Sequence, residues 1–232
     1  MNISHTSHSP SVIAAGSSEN LPHLQGMGRR ERRAAETRLR LFRCALQLFA
    51  ERGFPNVTVE DITEAADVGK GTFFNYFESK DHVLSVMAEI QLGKVREAVT
   101  LAETGKQTIY SVLHRLSLRV AEEPGRSHDL ARALISAFLA SKAVRGLIDC
   151  NFSEGRKMIA RIVAAGQKRG EIDTHLKREK VALQLQQAFM GTVLLWSLQG
   201  QPALATWIEE SFQHFWRAIA VSDLRTGARN KS

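Results

Sequence analysis

The segment Lys70–Tyr76 offers an ammonium group, a bare backbone at Gly71, a hydroxyl at Thr72, a carboxamide at Asn75 and a phenol at Tyr76. Phe73 and Phe77 lie four residues apart, so a helix here turns both rings inward and leaves the polar groups on its other faces. A short helix, apolar on one side and rich in hydrogen-bonding groups on the other, is what a DNA major groove accepts. Lysine donates to guanine O6/N7, a carboxamide suits adenine, and a glycine lets the backbone come close. This is the chemistry of recognition rather than turnover. The chain has no G-x-S-x-G, no H-x-x-x-H, no C-x-x-C and no evident pair of acids, so no catalytic residue, metal site or cofactor is expected. Gly69-Lys70-Gly71-Thr72 fails as a phosphate-binding P-loop, because Glu64 occupies the first glycine position and Gly71 the Ser/Thr position.

Two helices are needed to position these groups. The first starts at Thr58, whose hydroxyl forms a T-x-x-D capping box with Asp61, and Val59, Ile62 and Ala66 give it an apolar face. Asp67-Val68-Gly69 breaks it, with Val68 plugging the gap between the helices. The second starts at Lys70, and Ser79 caps the helix after it. A helical hairpin built for stability alone would show the same pattern, so charge is the second argument. Residues 29–43 hold seven arginines against Glu31 and Glu36, a net of +5 in a chain whose total is +7. A basic run beside a candidate recognition helix is where phosphates would lie. The sequence pI near 9.7 also favours an anionic partner.

The block Thr37–Val86 resembles the DNA-binding region of TetR/AcrR-type transcriptional regulators. Ala45-Leu46-Gln47-Leu48-Phe49-Ala50-Glu51-Arg52-Gly53-Phe54 carries the likeness, with Thr58, Ile62, Ala65-Ala66, Val68, Lys70-Gly71-Thr72-Phe73-Phe74-Asn75-Tyr76-Phe77 and Ser79-Lys80. The resemblance implies that Thr58, Thr72, Tyr76 and Lys80 contact phosphates and that Lys70, Gly71 and Asn75 approach base edges. Phosphate contacts position such a helix, and base contacts specify its site. Three positions depart from the family pattern. Asp67 replaces a turn glycine, Gly69 replaces a serine cap, and Phe74 replaces a tyrosine, so Phe74 is expected to pack or to touch a thymine methyl. Glu60 is expected to face away from DNA.

The remainder reads as helices near 80–103, 106–121, 128–140, 143–169, 176–199 and 202–221, broken at Gly125, Gly170 and Gly200-Gln201-Pro202. No alternating strand pattern appears, so the fold class is all-α: a three-helix helix-turn-helix domain followed by a helical effector-binding and dimerisation domain. The expected divisions are a tail over 1–28, a DNA-binding domain over 29–80, a ligand-binding and dimerisation domain over 81–222, and a tail over 223–232. Residues 1–28 are nearly uncharged and carry no signal-peptide pattern, and Met27 is a candidate native start. The stretch Phe189–Leu198 is too short for a membrane span, so no membrane partner is expected, and two reduced thiols suit a cytoplasmic DNA binder. Cys44 reads as a buried small hydrophobe and Cys150 as packed.

The last two helices, about 176–221, are rich in apolar residues. The resemblance implies that they form a four-helix bundle in a homodimer, although the same residues could serve an intramolecular core. A dimer presents two recognition helices to a palindromic operator on double-stranded DNA. The resemblance also implies an unknown small-molecule effector that releases a repressor from its operator, with Phe138, Met158, Phe189, Met190 and Trp196 as candidate pocket residues. The helix from Lys80 is the expected lever between pocket and DNA. Alternatives are a non-specific or architectural DNA binder, and a helical carrier or enzyme with a vestigial helix-turn-helix.

Overall fold

The computed structural model describes residues 28–199 and 201–221. The expectations for the N-terminal tail up to Met27, and for the C-terminal tail, lie outside these residues. Among the described residues the fold is all-α, with one isolated antiparallel bridge between Ile172 and Ala220. The helices are α1 (Arg29–Arg52), α2 (Val59–Ala65), α3 (Lys70–Phe74), α4 (Leu84–Thr104), α5 (Ile109–Ala121), α6 (His128–Ala140), α7 (Lys142–Lys168), α8 (Arg178–Gln199) and α9 (Leu204–Ile219).

The chain divides into two compact units at Thr37. In the first, the Gly28 N–H donates to Glu31 Oε2 at 3.1 Å, and Thr37 Oγ1 donates to the Arg33 carbonyl at 2.9 Å. This unit holds Arg29, Arg30, Arg32 and Arg33 of the basic run. The second unit, Arg38 onward, holds the helix pair and the helices after it.

Helix boundaries follow from local chemistry. Thr58, Thr108, Ser127 and Ser141 each accept a backbone N–H at the start of their helix, which satisfies an otherwise orphaned donor. Gly170, at φ 69°, follows the end of α7 in the left-handed region that a side chain would disfavour. The helix expected from residue 80 starts later, because Asp81–Val83 forms a 3₁₀ turn before α4.

Three apolar clusters hold the unit together. The first joins Leu41, Phe42, Phe49, Phe54, Ile62, Phe73 and Phe77 under the helix pair. It does not stop at residue 80, since Val83, Leu84 and Val86 extend it and Leu130, Ala133, Ala137 and Val144 complete it. The second gathers α4, α5, α7 and α9 around Leu113, Ile162, Phe212 and Trp216, and the third joins Trp196 to Leu204 and Ile208.

Two expectations gain detail here. Most of the apolar stripe of α9 is buried in the chain's own core, through Leu204, Ile208, Phe212, Trp216 and Ile219. Exposed large apolar side chains stand on α8, at Leu194, Leu195 and Leu198, the last to 68%, and on α6, at Leu139. Second, Arg178–Gln199 as a whole helix, rather than Phe189–Leu198 alone, is long and apolar enough to cross a membrane, with a mean hydropathy of 1.2. It is also a core helix, burying Val181, Ala182, Leu185, Val193 and Trp196. Cys44 is half-buried, and its thiol donates to the Ala65 carbonyl at 3.4 Å. Cys150 is exposed rather than packed, and both thiols are free.

Candidate nucleic-acid interface

Thr58 opens α2 with the expected capping box. Its hydroxyl donates to Asp61 Oδ2 at 2.6 Å and accepts the Asp61 N–H at 3.1 Å, while its own N–H donates to Asp61 Oδ2 at 2.7 Å. The Thr58 hydroxyl, then its N–H, hold the Asp61 carboxyl below the usual range, and Arg52 adds an ion pair at 3.0 Å. Asp67 then takes φ 50°, which aspartate tolerates better than most residues, and the half-buried Val68 packs on the cluster beneath.

Phe73 on α3 and Phe77 just beyond it are fully buried, with ring centroids 5.4 Å apart. The helix is shorter than the pattern suggested and gives way to a turn after Phe74. Its outer surface presents Lys70, Gly71, Phe74 and Asn75 to solvent, with Thr72 and Tyr76 half-exposed beside them. The side-chain polar atoms of Thr72, Asn75 and Tyr76 have no hydrogen-bond partner among the described residues and stay available to a ligand. Phe74 does not pack away. It is 56% exposed, edge-on to Phe73 at 5.4 Å, so an apolar ring stands among the polar groups.

Gly71 has no internal reason to be glycine. A Cβ built there meets nothing within 4 Å, and the residue is helical. Glycine in a helix costs roughly 0.5–1 kcal/mol relative to alanine. The fold therefore carries a small penalty at this surface position, as it does at Gly93, Gly146 and Gly191, where an added Cβ also meets nothing within 4 Å.

Three residues stand differently from the simple expectation. The Lys80 ammonium is turned inward, donating to the carbonyls of Phe54, Pro55 and Val57 at 2.9, 3.2 and 2.7 Å, and it lies 4.8 Å from the centre of the Phe54 ring. All three of its protons are thus committed to the turn that leads into α2. The Thr58 hydroxyl is likewise committed to its cap. Glu60 is not idle, since it forms an ion pair with Lys70 between α2 and α3, and that contact first of all holds the Glu60 carboxyl below its ordinary range.

A fastening between α1 and α4 leaves no mark in the sequence pattern. Arg38 makes two parallel hydrogen bonds to the Glu89 carboxylate, both 2.7 Å, and its guanidinium lies 5.6 Å from the centre of the Phe77 ring. No local signal marks partners so far apart along the chain. The remaining basic residues of this part of the run, Arg40 and Arg43, are exposed.

Behind the helix pair lies a cavity of about 480 Å³. Of the candidate pocket residues, Phe138, Phe189 and Met190 line it. Met158 and Trp196 do not: Met158 is buried in the second cluster, and Trp196 in the third, its indole N–H donating to the Pro202 carbonyl at 2.8 Å. Helix α4 forms one wall, through Leu84, Met87, Ala88, Gln91, Leu92 and Val95.

The model for bacterial regulatory proteins of the tetR family matches residues 41–87. The HTH-type transcriptional regulator TcmR of Streptomyces glaucescens is 47% identical over 58 residues, which cover 25% of this chain and 26% of TcmR. The HTH-type transcriptional repressor DhaR of Mycobacterium sp. (strain GP1) is 25% identical over 150 residues, covering 64% of this chain and 76% of DhaR. Among solved structures, Thermus thermophilus FadR, a TetR-family transcriptional repressor in complex with lauroyl-CoA, superposes with a TM-score of 0.58 at 27% identity. That match covers 79% of this chain and 95% of FadR.

Proposed function

Because the chain belongs to the TetR family of transcriptional regulators, we propose that it acts as a homodimeric repressor, held on a palindromic operator through α3 and released when a small molecule enters the cavity behind α4. The observation that carries this is the outer face of α3, where Lys70, Gly71 and Asn75 are exposed and Thr72 and Tyr76 keep unpartnered hydroxyls. In this reading Lys70 and Asn75 meet base edges, with Gly71 admitting the backbone, and Thr72 and Tyr76 meet phosphates. Lys80 and Thr58 hold the frame, because their side-chain donors are already used.

The exposed leucines of α8 support a dimer whose contact includes α8, and a two-fold pair would set the recognition helices one duplex turn apart, about 34 Å, or a multiple of that. The division of labour places DNA reading in the part up to Lys80, and effector binding and dimerisation in the helices after it. Helix α4 is the proposed lever. Leu84 belongs to the cluster under the helix pair and also lines the cavity, and Glu89 ties α4 to α1. A ligand shifts the balance only by binding one arrangement of α4 more tightly than the other. The role is regulatory rather than enzymatic and belongs in the cytoplasm.

Selection of bound fragments from genomic DNA with the purified protein tests this. A palindromic motif is expected. On that motif Asn75→Ala should relax preference at one position of each half-site by about 1–3 kcal/mol. Equal losses on specific and random DNA would remove Asn75 from base recognition, and recovery of no motif would favour architectural binding.

A further inference from the structure

The cavity behind α4 is apolar nearly throughout, yet one charge is built into it. Among the described residues that line it, Arg156 on α7 is the sole ionisable side chain. Its Nη1 donates to Gln186 Oε1 on α8 at 2.8 Å, which steadies the guanidinium without neutralising it. No carboxylate lies within ion-pair distance of Arg156 among the described residues, and the acid nearest in sequence, Glu154, is paired with Lys157 instead. Arg156 is half-exposed, whereas Gly155 beside it is buried. The arginine thus stands at the edge of the cavity, with apolar walls reaching inward past Leu92, Leu185 and Phe189.

A guanidinium left without a counter-charge beside an apolar space favours one ligand type. A cationic ligand is repelled, and a neutral one leaves the guanidinium facing it unpaired. An anion takes the free edge of the fork. We propose that the cavity takes an anionic amphiphile, with its apolar chain among the walls and its carboxylate or phosphate on Arg156. This rests on the cavity being the effector site. Two sources share the chemistry, a free long-chain carboxylate and an acyl thioester of a phosphorylated carrier. The volume, about 480 Å³, lies within the range of small-molecule sites.

The test is titration calorimetry on the full chain, each ligand kept below its micellar concentration, with dodecanoate, lauroyl-CoA, dodecanol and dodecyltrimethylammonium. At least one anion should bind about tenfold or more tighter than dodecanol, the range for a hydrogen bond to a charged group, and the ammonium should bind weakest. Whichever anion binds tighter identifies the source. Arg156→Met, which keeps the apolar stem, should bring the preferred anion down to the level of dodecanol and leave dodecanol unchanged. Dodecanol binding as tightly as both anions, or an anion preference that survives Arg156→Met, overturns the proposal.

Ala88→Phe, projecting from the α4 wall, separates the underlying reading, with thermal melting to verify the fold and Ala88→Leu as the milder variant. If it abolishes binding of alcohol and anions that bound equally well, the cavity stands and the anion preference falls. If binding is unchanged by a folded Ala88 variant, the ligand lies elsewhere and both readings fall.

Discussion

Gly71→Ala separates folding from binding. The added methyl group meets no atom within 4 Å, and the backbone is already helical, so alanine fits without movement. Alanine should stabilise the helix by about 0.5–1 kcal/mol, toward the lower end because Gly71 is the second residue of α3. In a domain of this size each kcal/mol shifts Tm by about 2–4 °C, which predicts a rise of about 1–4 °C. In the proposed docking on DNA, the same methyl occupies the space the backbone needs. A disturbed base position costs about 1–3 kcal/mol, or roughly 5- to 150-fold in Kd. Thermal melting followed by circular dichroism reads the first quantity, and fluorescence anisotropy on the selected operator at fixed salt reads the second. The expected result is a more stable protein that binds its site less well. An unchanged Kd alongside the higher Tm would refute the argument, because Gly71 would then have no external partner. A lower Tm would refute the packing argument itself.

Lys80→Met should lower the unfolding free energy by about 1–3 kcal/mol in urea titration, because three carbonyls lose their donor. The salt slope of DNA binding should stay as it was, and a slope flattened by about one unit would return Lys80 to the phosphates. Glu60→Gln releases Lys70, so affinity for random DNA should rise and the slope steepen, measured by anisotropy over a salt series. Glu89→Gln loosens α4 from α1. Arg38, by hydrogen bonding first, holds the Glu89 carboxyl below its unfolded value near 4.3. The stability it contributes is therefore complete above that pH and lost as pH falls through the lower folded value. The Tm gap between wild type and Glu89→Gln should be level from about pH 6 to 8 and close below about pH 4, its size small because Glu89 is more than half exposed.

What the sequence revealed was local. The capping hydroxyl at Thr58 and the glycine after Arg169 mark helix ends because their partners lie within four residues. The inward rings of Phe73 and Phe77 follow from spacing alone. What stayed hidden was tertiary. Lys80 finds its carbonyls more than twenty residues back, Arg38 finds Glu89 across fifty-one positions, and Arg156 gains meaning only from a cavity assembled by distant helices. Met158 and Trp196 were expected in that cavity because large apolar residues on these helices can face either core or pocket, and sequence periodicity does not say which of two buried faces encloses empty space.

Leu84, Leu134 and Ile148 all line the cavity, and each also packs into or against the cluster beneath the helix pair. Under the proposed function, a substitution at any of them reshapes the ligand's surroundings and the seat of the DNA-reading helices in one step. Responsiveness to a new inducer and strength of repression are therefore inherited together at these positions. Variation on the far wall, at Leu185 or Phe189, touches the ligand without that seat. Diversification of inducer choice at constant repression has its free positions there, on α8.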